Sequence, residues 1–400
     1  MDVEAIRAQV PALSNFVWFQ NGFVSLTPTP IAAEHARLMK ELYEHGPMHL
    51  LRPDVEFPRR VASVRRIAEF LNIKTEEVAL KLAVSDGFHT VVNCLDWREG
   101  DRIIITEEEP AALLGTSLHL AQNRGVELVK APLVDDIEGQ VRAVTGLITD
   151  RTRLIAISHV VTETGFRLPV AQICRIARKR RVLTFLDMAH SVGLYPIDLH
   201  QIGCDFAGVA NYKWTYAPYS CGILYVRKGS LGELHQAASP NRGITIKDPV
   251  DDILEVPDSA MRLQSGPWSW PLVHTWAFAL DWLTQIGLEA IWERTVALTG
   301  RLKTALLTIP GLTLITPESP SLSAALVTFC LNGWHSDDLV AQLKQRWNIQ
   351  IKSVPITWST AGKRNDVPAH AVRASLAFFL LEEEVDLLVS ALRTLAAERA

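Results

Sequence analysis

The feature that most constrains this chain is a regular alternation of β-rich segments and amphipathic helical segments, which begins near residue 78. Each β-rich segment is followed by a helical pattern or a tight connection before the next one begins. Strands that alternate with helices in this way predict an α/β fold, with a mainly parallel sheet between two layers of helices. The β-rich segments are VALKLAV, RIIIT, VELVKAP, RLIAISHVV, VLTFLDMA, DFAGVAN and GILYVRK.

The pattern changes after about residue 260, where two long helical segments precede a mixture of short strands and helices. This part has the size of a second, smaller α+β domain. We therefore predict a large domain over residues 15–260 and a small domain formed by residues 1–14 and 261–400. The apolar stretch at 268–287 contains Pro, His and Asp, so it predicts a buried helix and not a membrane span.

Composition excludes several classes of function. The 400 residues carry a formal net charge of −4, which gives no electrostatic reason to bind nucleic acid or an anionic membrane surface. The basic run RIARKRR at 175–181 fits the last turns of an amphipathic helix, where cations complement the helix dipole. We therefore expect neither nucleic acid nor a membrane as a partner.

The five cysteines are scattered and form neither a CxxC pair nor a metal-binding pattern with histidine. This distribution predicts a reducing compartment, no disulfide framework and no metal site. The first residues contain early acids and no apolar segment typical of a secretory signal, so we expect a cytoplasmic protein. GxGxxG and GxxxxGK[ST] motifs are absent, so dinucleotide and P-loop sites are not indicated.

Two charged residues follow neighbouring predicted strands. Asp187 ends VLTFLDMA, and Lys213 comes directly after DFAGVAN. The carboxyl ends of parallel strands meet at one edge of a sheet, where ligands bind. A lysine amine near a carboxylate suits a Schiff base with an aldehyde cofactor whose pyridine nitrogen the carboxylate keeps protonated.

The segment around these two residues, LDMAHSVGLYPIDLHQIGCDFAGVANYKWTYAPYSCGILYV, resembles the cofactor core of class V pyridoxal-phosphate (PLP) enzymes. This group of fold type I contains cysteine desulfurases, isopenicillin N epimerase and kynureninase. Matches continue in WFQNGFVSLTPTPI, AVSDGFHTVVN, SHVVTETGFRLPV and VRASLAFFLLEEEVDLL. The resemblance implies a seven-stranded type of sheet in the large domain, PLP as cofactor and a homodimer.

The resemblance also implies a role for individual residues. Lys213 would form the Schiff base, Asp187 would pair with the pyridinium nitrogen, and His190 would hydrogen-bond the phenolic oxygen. As a lone residue, His190 could equally be a core histidine. For the substrate, Arg373 would bind the carboxylate through its guanidinium, with Asn21 beside it. The further cofactor contacts implied are Gly87, Phe88 and His89 at a helix N-terminus, Tyr212, Thr162 and Gly266.

Three positions depart from the family pattern. Glu109, in EEPA, occupies the place of a histidine that stacks on the cofactor, and we expect it to act as an acid or base or to be a solvated loop residue. Tyr212 replaces the histidine that desulfurases have before the lysine, or else it packs on Trp214. Pro267 follows Gly266 where the family has a threonine, and a proline has no N–H to donate.

The loop KSVPITWST, at 352–360, contains no cysteine, although desulfurases need a thiolate there. We therefore expect a PLP-dependent enzyme that acts on an α-amino acid or a related metabolite, with β-elimination at a carbon–sulfur bond as the favoured reaction. Amino transfer or epimerisation is the alternative, and kynureninase-like hydrolysis comes third. A non-catalytic protein that retains the fold is the least favoured hypothesis.

Overall fold

The computed structural model describes residues 1–235, 245–248, 253–356 and 369–399. The described strands are β1 (Val17–Trp18), β2 (Val78–Lys81), β3 (Arg102–Thr106), β4 (Glu127–Ala131), β5 (Thr152–Ser158), β6 (Leu183–Asp187), β7 (Phe206–Ala210), β8 (Gly222–Val226), β9 (Thr245–Asp248), β10 (Ile253–Glu255), β11 (Leu312–Leu314), β12 (Leu326–Leu331), β13 (Ile349–Gln350), β14 (Lys352–Pro355) and β15 (His370–Ser375).

The described α-helices cover both sheets and are α1 (Val3–Arg7), α2 (Thr29–His45), α3 (Glu56–Phe70), α4 (Val84–Cys94), α5 (Ala111–Arg124), α6 (Ile137–Thr145), α7 (Val170–Lys179), α8 (Leu199–Ile202), α9 (Trp270–Ile286), α10 (Leu288–Leu306), α11 (Ser336–Trp347) and α12 (Glu382–Ala397). Helix α7 ends in the basic run predicted to close a helix, with Arg178 and Lys179 in its last turn.

The large sheet has seven strands in the order β2-β8-β7-β6-β5-β3-β4. The strands from β7 to β4 run parallel to their neighbours, whereas β8 runs antiparallel to both β7 and β2. The direct connection from β7 to β8, residues 211–221, contains no crossover helix, so β8 returns antiparallel. The predicted α/β fold with a mainly parallel sheet is confirmed.

Both faces of this sheet are buried. Ile104 and Ile155 contact a hydrophobic cluster with residues of α3, α6, α7 and α9, whereas Ile103 and Ile105 contact a cluster with residues of α4 and α5. Successive side chains of a strand point to opposite faces, so a sheet covered on both sides needs strands that are apolar throughout. This requirement explains the uninterrupted apolar run in β3.

The C-terminal part forms a smaller α+β unit around an antiparallel sheet in the order β11-β12-β15-β14. Residues of α10, α11 and α12 pack on it in a separate hydrophobic cluster. Strand β1 pairs with β13, which ties the N-terminal segment to this unit. The boundaries 15–260 and 261–400 stay predictions.

Helix α9 is the apolar segment that the sequence predicted to be buried. Eleven of its seventeen residues are buried, and His274 lies inside, within hydrogen-bond distance of Ser63 and Glu56. These polar contacts account for the histidine that interrupts the apolar pattern. Across the described ranges, no helix combines the length and the apolar character that crossing a bilayer requires.

Candidate active site

Asp187 and Lys213 lie at the carboxyl edge of the large sheet, as predicted. Asp187 is the last residue of β6, and the chain reaches Lys213 three residues after β7 ends at Ala210. Burial lowers the pKa of Lys213 to about 8, against the opposing effect of the Asp187 charge. Burial likewise raises the pKa of Asp187, while Lys213 opposes the change. The two charges therefore act on each other within one buried site.

One oxygen of Asp187 is available to a ligand. Its Oδ1 accepts a hydrogen bond of 2.8 Å from the amide of Ala189, in the turn that follows β6. Within the described ranges, Oδ2 has no protein donor. A carboxylate held by one oxygen and open at the other can accept a further N–H.

His190 lies between Lys213 and Trp214. Its Nε2 is 3.1 Å from Nζ of Lys213, and the indole Nε1–H of Trp214 points to its Nδ1 at 3.3 Å. Burial lowers the pKa of His190 well below its ordinary value, and the charges of Lys213 and Arg373 act in the same direction. The ring is therefore neutral. The indole N–H makes Nδ1 an acceptor, so the proton is on Nε2 in the state in which the Lys213 amine is neutral and can accept it.

We expect that His190 is no longer restricted to the Nε2–H tautomer in Trp214→Phe, because phenylalanine keeps an aromatic ring but has no N–H to donate to Nδ1. The ring-nitrogen resonances of His190 measure the result, and a share of the Nδ1–H form should appear. Losing one such hydrogen bond also costs about 1 kcal/mol of stability.

Trp276→Phe is the matched control for this variant. Trp276 is fully buried in α9, and its Nε1 has no partner in the described part of the chain. This control should lose similar packing without changing the His190 resonances. Unchanged His190 resonances in Trp214→Phe would contradict the assigned role.

Glu109 lies beneath the same edge, fully buried. Its carboxylate accepts hydrogen bonds from Thr106 Oγ1 at 2.7 Å, from Ser158 Oγ at 2.6 Å and from the Ser158 amide at 3.1 Å. Burial raises the pKa of Glu109 to about 8, and the Asp187 charge adds to the rise. The solvated-loop interpretation is therefore wrong. An acid or base role stays a prediction.

The raised pKa of Glu109 makes stability depend on pH. A carboxyl that binds its proton more tightly in the folded state stabilises the fold fully below its unfolded pKa, and this contribution is lost as pH rises through about 8. We expect Glu109→Gln to gain stability relative to the unsubstituted protein as pH rises, by about 1 kcal/mol per unit between pH 5 and 8.

Denaturant unfolding at several pH values measures this difference, because the other titrating groups cancel between the two proteins. A pH-independent difference between Glu109→Gln and the unsubstituted protein would show that Glu109 is ionised throughout.

Arg373 lies in β15, at the interface between the small sheet and the large domain. It is 2 % exposed, and its Nη1 donates a hydrogen bond of 2.7 Å to the carbonyl of Thr162. Its Nε has no hydrogen-bond partner among the described residues. Burial lowers the pKa of Arg373 to about 10, against the effect of Glu163, so it remains a cation at neutral pH.

Asn21 contacts the lysine loop from the N-terminal segment. Its Nδ2 donates to the carbonyl of Lys213 at 3.2 Å, and its side chain also acts on the buried hydroxyl of Tyr216. The structure thus brings Asn21, Lys213, His190, Asp187 and Arg373 into one region.

The predicted anion-binding turn does begin a helix, but the free amides lie earlier than expected. Helix α4 starts at Val84, and the amide of Gly87 already donates to the carbonyl of Ala83. The first amides of a helix have no intrahelical acceptor, so those free for an anion belong to residues 84–86. Gly87 and Phe88 are buried inside the helix, and His89 is exposed.

Tyr212 and Gly266 have contacts that the sequence did not indicate. Tyr212 stacks on Tyr219 with ring centroids 4.7 Å apart, and not on Trp214. Burial raises the pKa of Tyr212, with the Asp187 charge as a further cause, so its hydroxyl belongs to the site region. Gly266 has a φ of +143°, and a side chain there would collide with Trp268. Their proposed cofactor contacts stay predictions.

All five cysteines are buried and form no disulfide. Burial raises the pKa of Cys221 and of Cys330 to about 12. The segment 352–360 was expected to correspond to the cysteine loop of desulfurases. Its residues 352–356 are described and include β14, whereas 357–360 lie outside the described residues. No group of side chains able to hold a metal ion occurs in the described ranges.

Sequence reasoning missed two residues of this site. Glu163 follows β5 at the same sheet edge and is buried, and its charge acts on Arg373 and Lys213. The strand-end rule that found Asp187 could have found it. Trp214 orients His190, and no sequence pattern indicated this contact.

Comparison with known proteins shows the family to which this chain belongs. The family model of class V aminotransferases matches residues 26–388. The chain belongs to the class V aminotransferase family. This enzyme family was the one that the sequence motifs resembled, so that prediction is confirmed.

Two curated relatives of this class V chain carry different activities. Isopenicillin N epimerase of Streptomyces clavuligerus is 30% identical over 335 residues, which cover 80% of each chain. A cysteine desulfurase of Klebsiella pneumoniae is 29% identical over 409 residues, covering 98% of this chain and 97% of the relative. The likeness thus extends over nearly the whole chain.

Solved structures agree with the class V fold. The apo cysteine desulfurase of Thermococcus onnurineus superposes with a TM-score of 0.88 at 21% identity, covering 99% of this chain and 98% of the other. The cystine C–S lyase C-DES, in complex with cysteine persulfide, has a TM-score of 0.84 at 22% identity, covering 96% and 99%. Another structure of C-DES contains glycine covalently linked to its PLP cofactor.

Proposed function

We propose that this class V enzyme binds PLP through Lys213 and catalyses β-elimination at a carbon–sulfur bond of an α-amino acid. The observation that carries the proposal is the cluster of Lys213, the open carboxylate of Asp187 and the neutral imidazole of His190 at one sheet edge. When bound, PLP supplies an electron sink for the substrate's α-carbon.

The residues present fit this cofactor. A pKa of about 8 gives Lys213 a larger neutral fraction at physiological pH than an ordinary lysine has, and the neutral amine is the form that bonds an aldehyde. The free Oδ2 of Asp187 suits a pyridinium N–H, and the Nε2–H of His190 suits the phenolic oxygen. The free amides at the start of α4 suit the phosphate.

Arg373 and Asn21 are proposed to orient the substrate. The guanidinium of Arg373 is a buried cation with an unused Nε–H, which suits a carboxylate. Asn21, whose Nδ2 bonds the carbonyl of Lys213, is proposed to take part in the same orientation. With the carboxylate fixed, the Lys213 amine can take up the α-proton and return a proton later in the reaction.

The cysteines favour elimination over sulfur transfer. A desulfurase needs a thiolate that reaches the substrate sulfur, and every cysteine of this chain is buried with no thiol exposed. Elimination needs only the α-proton acceptor and a leaving group. A cysteine S-conjugate and water would give a thiol, pyruvate and ammonia.

Epimerisation is the second candidate, because a relative at 30% identity is an isopenicillin N epimerase. Amino transfer uses the same residues. Kynureninase-like hydrolysis is third, supported by Tyr212 and His190 alone.

Product analysis with a panel of cysteine S-conjugates and common amino acids tests the proposal. Elimination gives equimolar thiol and pyruvate. Exchange of the α-proton with inverted product would indicate epimerisation, and a keto acid that needs a second keto acid for turnover would indicate amino transfer. Alanine with a persulfide on the enzyme would contradict the argument from the cysteines.

The predicted homodimer is also a proposal. An apolar groove of about 700 Å³ is lined in part by the exposed side chains of Phe57, Val61 and Met261. Exposed apolar surface of this kind suits a second copy of the chain. Sedimentation at several concentrations measures the mass.

A further inference from the structure

Glu163 is a buried carboxylate without a full set of partners. Its side chain is 7 % exposed, and its Oε2 accepts no hydrogen bond from the described residues. Burial raises the pKa of Glu163, and the charge of Arg373 opposes this rise more than any other group does. No ion pair joins the two within the described ranges, and Nε of Arg373 is also unpartnered. A buried acceptor and a buried donor are therefore both left open.

The loop that carries Glu163 is held against the small α+β unit by hydrogen bonds to three consecutive backbone carbonyls. Arg373 Nη1 donates to the carbonyl of Thr162 at 2.7 Å, Thr328 Oγ1 to that of Glu163 at 2.6 Å, and Thr316 Oγ1 to that of Thr164 at 2.5 Å. These bonds hold the backbone of Glu163 in place. The buried side chain of Glu163 therefore extends from a backbone that is held in place.

Gly165 brings this loop close to the small sheet. Its φ is +75°, and a Cβ there would collide with the carbonyl oxygen of Leu326 in β12. Only glycine allows this approach at low cost. The backbone conformation at Gly165 and the hydrogen bonds to residues 162–164 thus both hold the backbone of Glu163 against the small α+β unit.

We propose that Glu163 and Arg373 form a two-point recognition site, in which Arg373 binds the α-carboxylate and Glu163 accepts a hydrogen bond from a donor on the substrate's side chain, with an ammonium group as the favoured donor. The inference rests on the proposed amino-acid site. It adds the class of side chain, which the family assignment leaves open.

The charges favour this class of substrate. A buried acceptor that is left unpaired costs free energy. A ligand whose donor reaches Oε2 removes this cost, so the hydrogen bond contributes more to binding than the same bond does in water. An ammonium adds charge to that bond. An anionic side chain would meet the like charge of Glu163, and a purely apolar one would leave Oε2 unpaired.

Calorimetric titration of the PLP-loaded protein with three amino acids of similar length tests this site. Lysine has a terminal ammonium, norleucine a methyl and 2-aminoadipate a carboxylate, and all three share the α-amino and α-carboxyl groups. A charge-assisted hydrogen bond predicts that lysine binds about 10- to 100-fold more tightly than norleucine. We expect 2-aminoadipate to bind most weakly.

Glu163→Gln should bring the affinities for lysine and norleucine to within about two-fold of each other, while the affinity for norleucine stays close to that of the unsubstituted protein. Glu163→Asp keeps a carboxylate on a side chain that is one carbon shorter, and its preference for lysine over norleucine should be intermediate. Glu318→Gln, the same change at an exposed acid outside the site, should keep the full preference.

Equal affinities for lysine and norleucine in the unsubstituted protein would overturn the inference, as would a preference that survives Glu163→Gln. These ligands have no β-leaving group, so their binding heats do not depend on the proposed elimination. If the lyase proposal failed, the relative affinities of the three amino acids would therefore still test the role of Glu163. Loss of binding by all three amino acids would instead contradict the amino-acid site itself.

Discussion

Lys213→Met is expected to abolish the covalent link to PLP. Borohydride reduction of the unsubstituted protein should fix the cofactor to the peptide that contains Lys213, and no reduced peptide should appear in the variant. Turnover should fall by about 10²- to 10⁴-fold, because the variant also loses the amine that moves the α-proton. Methionine keeps the unbranched stem, so packing around the site should change little.

Lys303→Met is the matched control for this experiment. Lys303 is a buried lysine whose pKa is also lowered, mainly by burial, but its Nζ bonds the carbonyls of Pro317 and Glu318 and the hydroxyl of Ser323. It has no place in the proposed chemistry. This variant should be less stable and still carry the reducible cofactor on Lys213. A reducible cofactor in Lys213→Met would disprove the assignment.

Asp187→Asn should cut turnover by about 10²- to 10³-fold while the fold stays intact. Asparagine keeps the acceptor for the Ala189 amide, but it offers a neutral group to the pyridine nitrogen and so withdraws the charge that keeps the ring protonated. Steady-state rates and the absorption band of the bound cofactor measure the effect. KM should change less than kcat, because the carboxylate acts on the electron sink and not on the substrate.

Asp205→Asn separates this effect from the general loss of a buried carboxylate. Asp205 precedes β7 at the opposite edge of the same sheet, where its Oδ2 accepts hydrogen bonds of 2.9 Å from the amide and the hydroxyl of Thr184. We expect this variant to lose stability and to keep its turnover per folded molecule. Near-normal turnover in Asp187→Asn would remove Asp187 from the mechanism.

The fold and the main pair of the site could be predicted from sequence because both follow from periodic patterns. Apolar strands such as β3 and β5 are required by a sheet that is covered on both faces. Asp187 and Lys213 then fall at the same edge, whatever the details of their side chains. The strand order, with β8 antiparallel beside β2, did not follow from the pattern.

Contacts between distant segments could not be predicted in the same way. Arg373 reaches the carbonyl of Thr162 across 211 positions of sequence, and periodicity carries no information on such a bond. Tyr212 stacks on Tyr219 because the intervening loop bends back, with a φ of +58° at Tyr216.

The anion-binding turn was misplaced for a different reason. The glycine of SDGFHT suggested the start of a helix, but α4 begins three residues earlier, at Val84. Helix boundaries are set by the first hydrogen bond between amide and carbonyl, which here joins Gly87 to Ala83. A glycine inside the first turn is compatible with either start, so the sequence alone could not choose.

The three carbonyl bonds that attach residues 162–164 to the small sheet also bear on how selectivity could change during evolution or engineering. Thr316 and Thr328 hold the recognition loop without belonging to the proposed substrate contacts. Replacing either hydroxyl would remove one of the bonds that hold the loop, while the side chains proposed to act in catalysis remain unchanged in sequence. New substrate preferences could therefore arise from mutations in the small domain that a survey restricted to ligand-contacting residues would overlook.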